Sequence, residues 1–98
     1  MIALVFTYEV PDPAEFERVY GADGKWAEFF KQGQGFIGTE LLSDVESPGR
    51  YIVIDRWNSR EEYNDFVAAN RDEYMRRVDE TTLHYSQELR LGTFQSVW

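Results

Sequence analysis

The chemistry that this sequence can support starts from His84, its only histidine. Imidazole is the one side chain whose ordinary pKa suits proton transfer near neutral pH. His84 can therefore take a proton from a phenolic substrate and leave an electron-rich anion that reacts with oxygen. We predict a catalytic role for it. The alternative is a surface or interface position on the less apolar face of the last predicted strand.

Asp55 and Arg56 are further polar candidates, because they lie between an apolar run and Trp57. Neighbours in a strand point to opposite faces, so one of the two must point toward the interior. A charge buried there needs a partner and becomes a site candidate. We predict that Arg56 is catalytic and stabilises an anion; the alternative is an exposed ion pair at the sheet edge.

Aromatic side chains are abundant, with seven Phe, six Tyr and three Trp in 98 residues. An aromatic stripe usually forms core, but pockets for flat ligands are also mostly apolar with few polar groups. Trp57 in particular fits a core and hairpin anchor as well as a stacking platform. The residues that we predict to bind substrate are Tyr8, Trp26, Trp57, Tyr63 and Phe66.

Composition and charge exclude several classes of protein. The net charge of −8 disfavours nucleic acid and anionic membrane surfaces as partners. One His, no Cys and no Gly-rich phosphate loop predict neither a metal nor an organic cofactor. No apolar run approaches the ~20 residues of a membrane span. The N-terminal run lacks the basic region of a signal peptide, so we expect a cytoplasmic protein.

The elements that position these residues begin with a strand and a broken helix. Ile2 to Val10 alternates with a period of two and is mostly non-polar on both faces, which predicts a central strand. A Pro-Asp-Pro turn ends the strand, and Asp12 is a favoured helix N-cap. Gly21 and Gly24 interrupt the apolar stripe that follows, which predicts two helical pieces with a bend between them.

The second half of the chain repeats strand and helix. Residues 36–43 and 50–57 are joined by a short turn and predict an antiparallel hairpin. Ser59 begins a second helix that runs to about residue 79, and Asn70 marks a break in it. A long last strand covers residues 83–94.

This order predicts an α+β fold, the ferredoxin-like β-α-β-β-α-β with a four-stranded antiparallel sheet, in a single domain of residues 1–98. Both helices must lie on one face of the sheet. The other face keeps apolar residues, so we expect it to pack against a second copy. The apolar C-terminal segment 93–98 is predicted to dock on that partner subunit.

Together these pieces resemble the antibiotic biosynthesis monooxygenase family, a group of dimeric α+β barrels. The resemblance rests on Gly35-Phe36-Ile37-Gly38 at the second strand, on Trp57 closing the third, and on residues 59–66. It implies an aromatic-lined pocket between helices and sheet, and a homodimer whose two sheets form the barrel. The family includes cofactor-independent monooxygenases acting on polycyclic phenols and quinols, haem-degrading enzymes, and members with no assigned activity.

The haem-degrading branch of the family does not fit this sequence. Its pattern needs an Asn on the first strand, which is missing here. Phe66 stands at the position of its second Trp, and Arg76 stands at the position of its proximal His. Because an Arg cannot ligate haem iron as a His does, we do not expect haem degradation.

The resemblance therefore implies a cofactor-independent monooxygenase that oxidises a phenolic or quinol-like aromatic substrate. The alternative is a non-catalytic homodimeric module that binds an aromatic metabolite or has a structural or accessory role. The two differ in whether His84 and Arg56 point into a cavity. A ring-isomerising or dehydrating enzyme would need the same base and also stays open.

Overall fold

The computed structural model describes residues 1–97 as four strands and four helices. The strands are β1 (Ile2–Glu9), β2 (Phe36–Ser43), β3 (Arg50–Trp57) and β4 (Gln87–Gln95). The helices are α1 (Pro13–Tyr20), α2 (Lys25–Phe30), α3 (Arg60–Ala69) and α4 (Arg71–Thr81), and a short 3-10 turn covers Thr82–His84. The sheet is antiparallel with strand order β2-β3-β1-β4, so the predicted ferredoxin-like fold is confirmed.

The helices begin and end where local chemistry favours it. The Asp12 carboxylate accepts a bond from the backbone N–H of Glu15, and the Ser59 hydroxyl accepts one from Glu62 at 3.1 Å. The first helical segment breaks before Gly24, where a Cβ would lie 2.5 Å from the carbonyl oxygen of Val19. The second segment breaks at Asn70, which caps α3 and precedes α4.

One face of the sheet packs against the helices. Its buried side chains alternate along β1 and β3, and the register brings Tyr8 opposite Tyr51 and Leu4 opposite Asp55. Residues of α1 pack against one end of this face, and residues of α2 and α3 pack around Trp57 at the other end. Phe6 and Trp26 contact both clusters, so the space between them is bounded by apolar core on two sides.

The opposite face carries no helix and remains apolar. The registers place Val5 beside Ile54 and Leu42 beside Ile52 on this open face. Leu89 and Phe94 extend it onto β4 and are 55% and 53% exposed. A sheet face with this composition is unusual in contact with water, and we call it the open face below.

The last strand differs from the sequence prediction. It begins at Gln87, not at Leu83, because the chain leaves α4 through the 3-10 turn before it pairs with β1. The pairing of β4 with β1 then shifts register between Val5 and Phe6. Glu88 therefore lies opposite Tyr8 on the helix-bearing face. Among residues 1–97, no helix is long and apolar enough to cross a membrane.

Candidate active site

A cavity of about 300 Å³ lies between the helices and the sheet, at the lower end of the usual range for ligand pockets. The sheet supplies its floor: Leu4, Phe6, Tyr8, Thr39, Val53 and Asp55. The helices supply its walls: Tyr20, Trp26, Phe30, Tyr63, Tyr74, Met75, Val78 and Thr81. Tyr85 and Glu88 complete the lining. Since Glu88 and Met75 are exposed, the cavity opens to solvent at these residues.

The helix α4 covers the cavity and contributes little to the core. Thr81 is its only buried residue among those described, whereas Tyr74, Met75 and Val78 are turned to the cavity. Tyr74 also packs edge-on against Trp26, so this stripe borders the cavity and in part contacts the core. This arrangement explains how a domain of 98 residues holds a cavity of this size.

Asp55 is the central polar group of the cavity. Only 9% of the residue is exposed, and its carboxylate accepts one hydrogen bond, from the Thr39 hydroxyl at 2.6 Å. Burial raises the pKa of Asp55 to about 6, while the bond from Thr39 acts in the opposite direction. A carboxyl group with a pKa near the working pH can accept and return a proton, as a general base must.

Tyrosine hydroxyls supply the remaining polar groups. The hydroxyl of Tyr8 donates to a carboxylate oxygen of Glu88 at 2.5 Å. Burial, and then this bond, raise the pKa of Tyr8 far above its ordinary value. Burial also raises the pKa of Tyr63, and raises that of Tyr20 to about 12. These groups stay protonated at neutral pH, so they bind ligand oxygens as neutral donors or acceptors.

Trp26 lines the cavity with its ring. Its indole Nε1–H is buried and has no hydrogen-bond partner among the residues that the structure describes. The ring stacks on Phe30 with centroids 5.5 Å apart and meets Tyr74 edge-on. The ring of Trp26 and the edge of Tyr74 therefore give this part of the lining an aromatic surface, whereas the buried Nε1–H is not exposed to the cavity.

The structure separates the residues that the sequence singled out. Tyr8, Trp26 and Tyr63 line the cavity. Trp57 and Phe66 lie behind its wall in the core, with 0% and 8% exposure, where Trp57 meets Tyr63 edge-on at 5.5 Å. Both positions match the core alternative for these aromatic residues.

Arg56 and His84 do not line the cavity. Strand alternation turns Arg56 to the open face, where its guanidinium pairs with Glu40 at 3.0 Å. His84 ends the 3-10 turn and is half-buried, because the strand that was expected to carry it begins three residues later. Neither of the two predicted catalytic residues therefore lines this cavity, and their catalytic roles stay predictions.

Asp55 was a candidate beside Arg56 without a predicted role, and the polar lining residues Thr39, Thr81 and Glu88 were not singled out from the sequence. Asp55 lies two residues after Val53 and two before Trp57, so all three side chains point to the same face of β3. This spacing is the sequence signal that could have placed Asp55 on the buried face. The face of Glu88 depends on the register shift in β4, and the sequence signal for such a shift is Gly92, a glycine inside the strand with a φ of 148°. No cluster of three or more metal-ligating side chains occurs within residues 1–97.

The fold and the cavity define an α+β, ferredoxin-like domain with an aromatic-lined pocket that holds a buried carboxyl group. The family model for antibiotic biosynthesis monooxygenases matches residues 1–71, and the chain belongs to this family. No curated protein matches the sequence significantly.

Solved structures share the fold at low sequence identity. A mutant of SnoaB, a cofactor-independent oxygenase from Streptomyces nogalater, is 21% identical with a TM-score of 0.82. The match covers 99% of this chain and 93% of that one. A candidate antibiotic biosynthesis monooxygenase from Deinococcus radiodurans is 12% identical with a TM-score of 0.76, covering 100% and 94%. At these identities the likeness establishes the common fold.

Proposed function

We propose that the protein is a cofactor-independent monooxygenase that oxidises a phenolic or quinol-like substrate in the cavity, with Asp55 as the general base. The observation that carries this proposal is the carboxylate of Asp55, buried against an aromatic cavity with only the Thr39 hydroxyl as partner. A second lone pair of this carboxylate stays available for a substrate hydroxyl. Family membership and the SnoaB fold support the same reaction class.

The oxidation balances without an external reductant. Asp55 takes the phenolic proton, and the phenolate gives electrons to O₂, which bonds to the ring carbon para to the oxygen. The O–O bond then breaks as that carbon loses its hydrogen, so one oxygen atom becomes a carbonyl and the other leaves as water. For 1-naphthol, the products are 1,4-naphthoquinone and one water molecule.

The surrounding residues would orient the ring and exclude water. Trp26 and Tyr63 offer aromatic faces and edges to a flat ligand, and the Tyr8 hydroxyl lies on the same floor as Asp55. Trp57 and Phe66 support the wall from behind, because they fill the core beneath Tyr63. In a water-poor cavity, the phenolate is a stronger electron donor than it is in bulk water.

A second candidate function is a non-catalytic module that binds an aromatic metabolite. The observation that favours it is the absence of both Arg56 and His84 from the cavity lining within residues 1–97. No guanidinium then stabilises a developing oxygen anion. Under this alternative Asp55 acts as a hydrogen-bond acceptor for a ligand hydroxyl and takes part in no reaction.

Oxygen uptake with 1-naphthol separates the two candidates. We expect uptake and 1,4-naphthoquinone formation with the unmodified protein, and a loss of about 10²-fold or more in kcat for Asp55→Asn, as removal of a general base predicts. The exposed variant Asp65→Asn is the matched control. Binding of 1-naphthol without oxygen uptake would assign the binding function. A loss in His84→Gln together with full activity in Asp55→Asn would return the role of base to His84.

We further propose that the open face joins two copies into a homodimer. The proposal is supported by the apolar side chains of Val5, Ile52 and Ile54, which no element of the chain covers within residues 1–97. Phe94 belongs to this face, and Val97 is almost fully exposed, as a segment that docks on a partner would be. The same prediction for Trp98 lies outside the described residues. Static light scattering of the full chain measures the mass directly.

A further inference from the structure

The cavity lining carries negative charge only. Of the residues that line it, Asp55 and Glu88 are acidic, and none is Lys, Arg or His in the part of the chain described by the structure. The two carboxyl groups lie on the strands that flank β1, Asp55 opposite Leu4 and Glu88 opposite Tyr8, whose hydroxyl donates to Glu88. Burial, the bond to Glu88 and, more weakly, the charge of Asp55 all raise the pKa of Tyr8.

The cation nearest to Glu88 along β4 is Arg90, which lies opposite Phe6 on the helix-bearing face but does not line the cavity. It lies two residues beyond Glu88 on the same strand, and its guanidinium donates to the Thr93 hydroxyl at 2.6 Å. Its side chain is exposed and is not part of the lining. Its charge reaches the cavity at Tyr63, where it opposes the rise of the pKa, so it offsets part of the repulsion by the two lining carboxylates.

We infer that the cavity selects its aromatic substrate by charge, and that Glu88 is a specificity-determining residue. It takes an uncharged phenol and discriminates against one that carries a carboxylate, sulfate or phosphate at the end remote from the phenolic hydroxyl. The inference rests on the proposed function, because it places the phenolic hydroxyl at Asp55. The remote end of the ring system then points to the opening, where Glu88 lies.

The physical basis is repulsion between like charges at a partly enclosed opening. Asp55 is buried and Glu88 is exposed, so the first excludes anions from the interior and the second excludes them from the mouth. A pair of like charges a few ångströms apart near a protein surface changes affinity by about tenfold or more. Glu88 also lies outside residues 1–71, so this selectivity does not follow from the family match.

Isothermal titration with two isosteric ligands tests the inference without requiring turnover. The probes are 6-hydroxy-2-naphthamide, which is neutral, and 6-hydroxy-2-naphthoate, which is anionic at pH 7.5. Each carries its hydroxyl and its second substituent at opposite ends of the ring system. We expect the unmodified protein to bind the amide at least about tenfold more tightly, and this ratio to fall as salt is added.

The variant Glu88→Gln assigns the effect to one residue. Gln keeps an acceptor for the Tyr8 hydroxyl and removes the charge, so the ratio between the two ligands should fall several-fold toward one. Glu9→Gln removes an equal charge from the neighbouring β1 residue, which is exposed and does not line the cavity. That control should leave the ratio unchanged.

Each contrary result overturns a different statement. Equal binding of both ligands by the unmodified protein would refute selection by charge and leave the proposed function intact. A ratio that is the same in Glu88→Gln would refute the role of Glu88. Failure of both ligands to bind would refute the phenol site itself, and with it the proposed function. If Glu88→Gln folds poorly, the salt dependence of the binding ratio, measured on the unmodified protein, still tests selection by charge.

Discussion

Replacing Asp55 by Asn should make the folded protein more stable at neutral pH. Only 9% of Asp55 is exposed, and Asn can still accept the hydrogen bond from Thr39. Burial raises the pKa of Asp55 from its ordinary 3.8 to about 6, against the opposing effect of Thr39. Because one pKa unit corresponds to about 1.4 kcal/mol, ionised Asp55 destabilises the folded state by about 3 kcal/mol.

The pH dependence of this gain has a definite sign. Below its ordinary pKa, Asp55 is protonated in both the folded and the unfolded protein, so burial carries no electrostatic penalty. As the pH rises toward about 6, the unfolded chain ionises first and binds fewer protons, so the stability falls. Above that pH both states are ionised and the penalty is complete. The gain from Asp55→Asn should therefore be near zero at about pH 3.5 and about 3 kcal/mol at about pH 7.5.

Urea unfolding at the two pH values, followed by tryptophan fluorescence, measures the gain. Protein concentration must be the same throughout, because any self-association adds to the apparent stability. Asp65→Asn removes an exposed carboxylate on α3 and should change stability by less than about 0.5 kcal/mol at either pH. Lower stability of Asp55→Asn than of the unmodified protein at neutral pH would contradict this reasoning. An equal gain in stability at both pH values would also show that burial does not destabilise the ionised Asp55.

Three further predictions follow from the same structure. The value of kcat/KM should rise with pH through about 6 as Asp55 ionises, while the cavity groups Tyr8 and Tyr63 stay protonated; a flat profile would contradict this. Gly35→Ala should lower the free energy of unfolding by about 1–3 kcal/mol in urea, because φ is 93° and the new Cβ would lie 2.5 Å from the carboxyl carbon of Glu62. Ile54→Asp should convert the proposed homodimer to monomers in light scattering, and an unchanged mass would argue against the open face as the interface.

Much of the fold was predictable because turns and caps punctuate the sequence. The bounds of β2 and β3 agree with the prediction, since Gly35 and Gly49 hold the positive φ angles that end the preceding segments. The break at Asn70 was also predicted. The start of β4 was not, because Leu83 to Ser86 alternates as a strand does although residues 82–84 form a 3-10 turn.

The site was less predictable, because it depends on strand faces and register. Strand alternation shows that Asp55 and Arg56 point to opposite faces, but it does not show which of the two is buried. The structure buries Asp55 and pairs Arg56 with Glu40 on the open face. His84 attracted attention by residue type alone, whereas its position depends on the turn after α4. The placement of Glu88 depends on a register shift that arises only when β1 and β4 pair.

The most direct test of the account is mass spectrometry of the product formed from 1-naphthol under ¹⁸O₂. The protein should be treated with a chelator beforehand, so that adventitious metal cannot supply the oxidation. We expect 1,4-naphthoquinone with one ¹⁸O atom, formed by the unmodified protein and lost in Asp55→Asn. Unlabelled quinone, or labelled quinone formed equally by Asp55→Asn, would contradict it.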